Sequence, residues 1–244
     1  MSTLRSQLPS FSGLLREAVS LPTSFATLAF GIRELSAQSP HGDGHTVLVL
    51  PGFTAPDITT APLRRFLESL GYRTSGWELG VNLGIKPDGE ERLERTIERL
   101  AADGPITIIG WSLGGIYARE AARRHPEQVR RVITLGTPIR NRDGAQWIIN
   151  VFRVLNPTAA ADLTPNGVIR HAQPLGVPMT AVYSLRDGIL DGRACRIPDS
   201  DLTRDAENVE VSATHLGMGF SLEVLAVIAQ LLADDAVADA RVAS

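Results

Sequence analysis

Short apolar runs that alternate with amphipathic stretches restrict the fold of this chain more than any other feature of its sequence. Runs of four or five residues, each bounded by glycine, proline or polar residues, lie at residues 47–50, 106–109, 132–135 and 179–183. Such runs are typical of strands buried on both faces. A shorter strand is predicted at 208–211, and helical spacing of apolar residues is found at 61–70, 90–101, 114–124 and 222–232. Strands that alternate with helices predict an α/β fold with a mostly parallel sheet.

Composition excludes several classes of protein. With 244 residues and 43% hydrophobic residues the chain can bury one full core, and its net charge of -3 gives no reason to expect nucleic acid as a partner. The single cysteine, Cys195, cannot form an intrachain disulfide or a cysteine-based metal site. The N-terminus lacks the pattern of a secretory signal, and its most apolar stretch, residues 19–32, is too short to span a bilayer. We therefore expect a cytoplasmic protein, and the sequence does not indicate its oligomeric state.

Residues 1–45 are predicted to form an N-terminal helical extension. Apolar residues at helical spacing, interrupted by Ser and Pro, predict two short helices packed on the main domain, and residues 41–45 look like a flexible joint. An alternative is an amphipathic patch that makes peripheral contact with a membrane. That alternative requires four apolar side chains to be exposed, those of Phe11, Leu14, Phe25 and Phe30.

A long segment interrupts the alternation of strands and helices. About forty residues between Pro138 and Pro178 contain no clear strand, which is longer than an ordinary connection. We predict that residues 139–175 form a small lid inserted into a core made of residues 46–138 and 176–244. The alternative is a helix buried against the sheet.

The main chemical signal is the G-x-S-x-G motif at residues 110–114. It follows a predicted strand directly and precedes a predicted helix, which is the setting that a nucleophile elbow requires. A Cβ at Gly110 or Gly114 would crowd the neighbouring strand and helix. Ser112 is therefore the predicted nucleophile, held at the positive end of the following helix.

A serine hydroxyl needs a base, and the base needs a carboxylate to orient it. Among the five histidines, His215 alone lies between the last predicted strand and the last predicted helix, at the sheet edge where Ser112 is expected. Asp187 and Asp191 both follow the penultimate strand. Asp187 is the preferred acid, and Asp191 is kept as the alternative.

Two backbone amides are expected to form an oxyanion hole. The N–H of Leu113, directly after the nucleophile, is one predicted donor. The second is the N–H of Phe53, in the loop that follows the first core strand, where Gly52 permits close approach of the backbone.

These segments resemble the α/β-hydrolase superfamily from Thr46 to about Leu232, and in particular bacterial lipases and carboxylesterases. The likeness rests on four motifs: Pro-Gly-Phe at 51–53, Gly-Trp-Ser-Leu-Gly-Gly at 110–115, Gly-Thr-Pro at 136–138 and Ser-Leu-Arg-Asp-Gly-Ile at 184–189. It implies the α/β-hydrolase fold, with Ser112, Asp187 and His215 as the triad. Many relatives carry His where this chain has Pro51, a change that leaves backbone donation from the loop intact.

The leading functional hypothesis is hydrolysis of a carboxylic ester, with a hydrophobic or lipid-like acyl group, through an acyl-enzyme. Trp111, Trp147 and Phe152 are the predicted substrate-binding residues, the last two within the lid. Alternatives are an acyltransferase, thioesterase or amidase with the same triad, or a non-catalytic binding protein. The sequence carries no metal-binding or nucleotide-binding signature, so no metal or cofactor is expected. The expected partner is a small-molecule ester or lipid, and the sequence does not separate a lipase from a plain esterase.

Overall fold

A six-stranded parallel sheet forms the centre of the protein. The computed structural model describes residues 10–84, 87–139 and 175–242. In chain order the strands are β1 (Thr46–Leu50), β2 (Arg73–Gly76), β3 (Ile106–Trp111), β4 (Val129–Leu135), β5 (Met179–Tyr183) and β6 (Ala206–Glu210). Their order across the sheet is β2-β1-β3-β4-β5-β6, and every pair is parallel. The predicted α/β class is confirmed.

Helices cover both faces of this sheet. They are α1 (Phe11–Gln38), α2 (Ala61–Ser69), α3 (Pro87–Leu100), α4 (Leu113–Arg124) and α5 (Leu222–Val242). One apolar cluster joins α1, α2 and α5 to one face, and a second joins α3 and α4 to the other. The central strands β1 and β3 are buried along their whole length, which explains why most of their residues are apolar.

The strand order fixes where a site can form. From β1 the chain first adds β2 on one side and then returns to place β3 on the other side, so the direction of winding reverses between β1 and β3. Loops leave the carboxyl ends of the strands in opposite directions at such a point and open a crevice. The loop after β1 and the G-x-S-x-G turn after β3 therefore meet at this crevice.

The N-terminal segment differs from its prediction. Two short helices were expected, but α1 is one continuous helix of 28 residues that passes through Pro22. A proline inside a helix removes one hydrogen bond and crowds the preceding turn, at a cost of about 3 kcal/mol. Packing on both sides of Pro22 offsets this cost, since the buried residues of α1 include Glu17 before it and Leu28 after it.

The side of α1 that points away from the domain carries several large apolar residues. We call this the outward face, and its large apolar side chains, each 44–90% exposed, are Phe11, Leu14, Leu15, Val19 and Phe30. Phe25 is 48% exposed, but its ring also packs on Phe220 at a centroid distance of 4.2 Å. The exposure that membrane contact requires is thus present, while the contact itself stays a prediction. No helix in the described part of the chain has both the length and the hydropathy of a membrane span.

The expected flexible joint at residues 41–45 is instead pinned to the domain. Asp43 accepts a hydrogen bond of 2.7 Å from Arg130, and it also bonds the ring of His45. His45 Nε2 lies 3.0 Å from Thr107 Oγ1 in the buried strand β3. Side-chain contacts with β3 and β4 hold this segment, which its two glycines did not indicate.

The predicted lid lies almost wholly outside the described residues. Residues 140–174 are not described, so the lid, Trp147 and Phe152 remain predictions.

The contacts of Asp43 predict a pH-dependent contribution to stability. Burial raises the pKa of Asp43, but hydrogen bonds from Arg130 and His45 outweigh burial and lower the pKa from 3.8 to about 2. The contribution is therefore complete well above pH 4 and is lost as the pH falls through about 2. We expect Asp43→Asn to lower the free energy of unfolding by about 1–2 kcal/mol at pH 7 and by less at pH 3, measured by urea unfolding.

Asp103→Asn is the matched control, because Asp103 pairs with Arg73 on the exposed surface. Its effect should be small at both pH values. An equal loss for Asp43→Asn at pH 7 and pH 3 would contradict the account.

Candidate active site

Ser112 lies in a strained turn between β3 and α4. Its φ of +53° and ψ of -116° are rarely adopted by a residue with a side chain. A Cβ on Gly110 would lie 2.3 Å from Gly115 Cα, and a Cβ on Gly114 would lie 2.4 Å from the Leu50 carbonyl oxygen. The flanking glycines are therefore required by the close approach of strand and helix, as the sequence predicted.

Backbone contacts hold the strained serine in place. Ser112 N–H donates to the Leu135 carbonyl over 2.8 Å. Its own carbonyl accepts from Gly115 N–H at 3.0 Å and from Thr137 Oγ1 at 2.8 Å. Thr137 is fully buried, and the sequence analysis gave it no role. The Gly-Thr-Pro motif after β4 was the available signal for it.

His215 and Asp187 form a buried pair. His215 Nδ1 lies 2.6 Å from Asp187 Oδ2, with the two side chains 5% and 1% exposed. The other carboxylate oxygen, Oδ1, accepts from Ile189 N–H at 2.8 Å and from Leu190 N–H at 2.7 Å. Both oxygens of Asp187 are thus occupied, and the carboxylate is fixed with one oxygen directed at the imidazole.

Asp191, the alternative acid, and two other histidines make contacts away from Ser112. Asp191 caps a short 3₁₀ turn, where its Oδ1 accepts from Arg193 N–H at 3.0 Å. His125 ends α4 and lies 3.9 Å from a carboxylate oxygen of Glu94. His45 packs against Tyr72 at the opposite end of β1.

His215 adjoins the turn that carries Ser112. Trp111 Nε1 donates to the His215 carbonyl over 3.1 Å, and a Cβ on Gly136 would lie 3.1 Å from His215 Nδ1. The contacts of the described residues include no hydrogen bond between Ser112 Oγ and His215. Catalytic hydrogen bonds are often long before substrate binds. The structure brings the three predicted residues to one edge of the sheet, with the hydrogen bond between acid and base already formed.

Trp111 is buried in the core, with 7% of its surface exposed. Its ring meets Phe220 edge-on at a centroid distance of 5.9 Å, and its N–H is used by the His215 carbonyl. Trp111 thus contacts the loop that carries His215. Its predicted contact with substrate stays a prediction.

The loop that carries Phe53 and the first turn of α4, with Leu113, both adjoin Ser112. A Cβ on Gly52 would lie 3.4 Å from Ser112 Cβ, so the loop that carries Phe53 adjoins the nucleophile turn. Leu113 is the first residue of α4, and a helix offers no internal acceptor for its first N–H groups.

Asn82 holds the Phe53 loop, and the sequence analysis missed it. Its Nδ2 donates to the Pro51 carbonyl at 2.7 Å, its N–H donates to Ala55 at 3.0 Å, and its carbonyl accepts from Thr54 N–H at 2.7 Å. Asn82 is fully buried. The sequence marks this role weakly. Asn82 lies between Gly80 and Gly84, after strand β2, which the sequence did not predict.

Glu17 is the second unexpected residue of the site. It lies on α1, is 2% exposed, and accepts three backbone hydrogen bonds from the loops that carry Asp187 and His215. No short motif marks it in the sequence.

The thiol of Cys195 is shielded from solvent. Cys195 is fully buried, and burial raises the pKa of its thiol well above 9.0. Over residues 10–84, 87–139 and 175–242, no group of three His, Cys, Asp or Glu side chains is arranged to hold a metal ion.

Two curated proteins resemble parts of this chain in sequence. The chain is 33% identical over 99 residues to the pimeloyl-[acyl-carrier protein] methyl ester esterase of Shewanella woodyi, covering 39% of this chain and 37% of that protein. It is 41% identical over 58 residues to the biotin biosynthesis bifunctional protein BioHC of Teredinibacter turnerae, covering 24% and 10%. The matches therefore span less than two fifths of either curated relative.

Solved structures share the fold at low sequence identity. The monoacylglycerol lipase of Paleococcus ferrophilus superposes with a TM-score of 0.57 at 15% identity, covering 81% of this chain and 96% of that one. Naproxen esterase of Bacillus subtilis superposes with a TM-score of 0.55 at 15% identity, covering 80% and 85%. A family model described as the alpha/beta hydrolase fold matches residues 88–216, which is more than half of the chain. The chain therefore belongs to the alpha/beta hydrolase fold family.

Proposed function

We propose that this chain hydrolyses carboxylic esters, with Ser112 as nucleophile, His215 as general base and Asp187 as the carboxylate that orients the base. The observation that carries the proposal is the buried 2.6 Å contact between His215 and Asp187, directly beside the strained turn of Ser112. Family membership supports the class of reaction, and the printed name of the Shewanella relative refers to a methyl ester.

The contact between acid and base sets the tautomer of the base. When Nδ1–H donates to Asp187, the lone pair of the neutral ring lies on Nε2, the nitrogen that takes the Ser112 proton. The two backbone N–H groups on the other oxygen of Asp187 keep it from rotating away. The Asp187 carboxylate also stabilises the imidazolium that forms during attack.

Attack forms a bond between Ser112 Oγ and the ester carbonyl carbon. The carbonyl oxygen then carries negative charge, and the N–H groups of Leu113 and Phe53 are the proposed donors that stabilise it. Ser112 is the N-cap of α4, so the positive end of the helix adds to this stabilisation.

The intermediate collapses when the bond to the leaving alcohol breaks and His215 gives the alcohol its proton. The acyl group stays on Ser112 as an ester. A water molecule, deprotonated by His215, then attacks that ester and releases the acid.

A hydrophobic acyl group is the proposed substrate class. The supporting features are the predicted apolar lid, with Trp147 and Phe152, and the lipase and esterase folds among the neighbours. A thioester is the second candidate. A thioesterase domain from the curacin biosynthetic pathway superposes with a TM-score of 0.50 at 14% identity.

Removing the nucleophile tests the reaction class. We expect Ser112→Ala to lower kcat for p-nitrophenyl butyrate by at least about 10⁴-fold, because the acyl-enzyme cannot form. Turnover is followed by release of p-nitrophenolate, and circular dichroism checks that the variant is folded.

Ser200→Ala is a suitable control, since Ser200 is exposed and its hydroxyl donates to the neighbouring Asp201. It should keep kcat within about twofold of wild type. Unchanged turnover in a folded Ser112→Ala variant would contradict the proposal. Faster turnover of an acyl thioester than of the matched ester by wild type would favour the second candidate.

We also propose that the outward face of α1 rests on a lipid surface. Phe11 and Phe30 are 82% and 90% exposed on a helix of a chain with only 5% aromatic residues. Exposed apolar patches of this kind mark interaction sites, and a lipid surface would present the proposed hydrophobic substrate.

Vesicle flotation tests this surface. We expect the wild-type protein to float with phosphatidylcholine–phosphatidylglycerol vesicles, and Phe11→Ser with Phe30→Ser to weaken binding by about 10- to 100-fold, because two apolar rings are lost. Ile58→Ser is the matched control, since Ile58 is 67% exposed outside α1. Binding that is absent in wild type, or unchanged in the double variant, would contradict the contact.

A further inference from the structure

Glu17 is a buried carboxylate on a helix that is mostly exposed. Only three residues of α1 are buried, and Glu17, 2% exposed, is the charged one. Burying a charge costs free energy unless hydrogen bonds compensate for the lost water. The hydrogen-bond partners of the Glu17 carboxylate therefore matter.

Three backbone N–H groups converge on this carboxylate. Oε1 accepts from Gly188 at 2.7 Å and from His215 at 2.8 Å, and Oε2 accepts from Leu216 at 2.8 Å. Within the described residues, no Lys, Arg or His side chain pairs with Glu17, so backbone amides alone compensate its charge. An ionised carboxylate accepts only, which suits a site formed entirely by donors.

The three donors belong to the two loops that carry the acid and the base. Gly188 directly follows Asp187 in the loop after β5, and the other two N–H groups belong to His215 and its neighbour in the loop after β6. One carboxylate from α1 thus ties together two loops that no strand pairing connects beyond the ends of β5 and β6. The distance between Asp187 and His215 depends on where these two loops lie.

The packing of α1 brings Glu17 within reach of the loops. A Cβ on Gly13 would lie 2.7 Å from the Gly188 carbonyl oxygen, so the helix approaches the acid loop backbone to backbone. One turn past Glu17, Ser20 Oγ lies 2.7 Å from Thr214 Oγ1 in the base loop. The first half of α1, from Gly13 to Ser20, therefore packs against these two loops.

We propose that Glu17 is a positioning residue that holds the Asp187–His215 pair in register, and that α1 is thereby a structural part of the active site. This inference rests on the proposed function. Glu17 bonds the backbone of His215 and not its ring, so it acts on the reaction only through the placement of the pair.

This role predicts a particular kinetic pattern. Displacing catalytic groups by about 1 Å costs about 100-fold in rate. Glu17 contacts neither Ser112 nor the amide donors of Leu113 and Phe53 in the structure, so the binding of substrate should change little. Loss of Glu17 should therefore lower kcat and leave KM nearly constant.

Glu17→Gln is the direct test. Glutamine offers one acceptor oxygen and turns an NH₂ donor toward backbone donors, so at least one N–H loses its partner. We expect kcat for p-nitrophenyl butyrate to fall about 100-fold with KM within about twofold. Glu34→Gln is the matched control, because Glu34 is exposed on the same helix and bonds only Gln38. A folded Glu17→Gln variant with the kcat of wild type would overturn the inference.

A spectroscopic measurement separates this inference from the proposed function. A proton shared between His215 Nδ1 and Asp187 gives a far-downfield ¹H NMR resonance, whether or not any ester is turned over. We expect this resonance in wild type and in Glu34→Gln, and its loss or displacement in Glu17→Gln. An unchanged resonance in Glu17→Gln would overturn the positioning role, whereas a wild-type protein with the resonance and no turnover would count against the proposed function alone.

Gly13→Ala tests the same contact without removing the carboxylate. Its new Cβ collides with the Gly188 backbone and should move α1 away from the loops, which lowers kcat and disturbs the same resonance. Gly31→Ala is its control, since a Cβ there meets only the end of the flexible Leu222 side chain. If Glu17→Gln does not fold, Gly13→Ala carries the test, and wild-type kcat together with an unchanged resonance in that variant would overturn the inference.

Discussion

The buried hydrogen bond between His215 and Asp187 is the interaction on which the rest of the site depends. It joins two loops from neighbouring strands, β5 and β6, whose parallel pairing ends just before the loops begin. Beyond that point the sheet no longer sets the distance between the two side chains. Backbone hydrogen bonds must set it. The N–H groups of Ile189 and Leu190 donate to Asp187, and N–H groups of both loops donate to Glu17.

Contacts with neighbouring residues also hold Ser112, in a backbone conformation that serine rarely adopts. The φ and ψ of Ser112 are unfavourable, and they persist because close packing around the turn leaves no other path for the chain. Gly110 and Gly114 permit that packing, while Leu135 and Thr137 fix the serine backbone from the next strand. The strained turn places the Ser112 side chain at the N-terminal, positive end of α4.

The reversal of winding between β1 and β3 brings these parts together. It places the Phe53 loop beside Ser112, and Asn82 keeps that loop in position from the far side. Each predicted chemical group thus has a buried polar neighbour that orients it: Asn82 for the Phe53 loop, Thr137 for the nucleophile turn and Glu17 for the acid and base loops. These three neighbours are on different elements, so the site depends on the whole sheet edge.

The sequence predicted the parts that rest on local pattern and chain order. Apolar runs revealed the buried strands, and the position of His215 after the last strand placed it at the correct edge. β2 escaped prediction because it is a short edge strand, Arg-Thr-Ser-Gly, that needs no apolar run. The continuity of α1 also escaped, since Pro22 argues for a break and only packing overrides it.

The supporting residues escaped for a different reason. Glu17 is 198 residues away from His215 in the chain, and its role follows from three backbone amides that have no sequence signature. Asn82 depends in the same way on carbonyl and amide groups of the Phe53 loop. Roles that arise from backbone donors and acceptors become visible only when the fold places them together.

Covalent capture of the nucleophile tests the central claim most directly. The protein is incubated with a fluorophosphonate, digested, and the modified residue is located by mass spectrometry, with His215→Ala as the comparison. The account predicts a single adduct on Ser112, formed at least about 100-fold more slowly in His215→Ala because the general base is absent. No adduct on the folded wild-type protein, or an adduct on another residue with Ser112 unmodified, would contradict it.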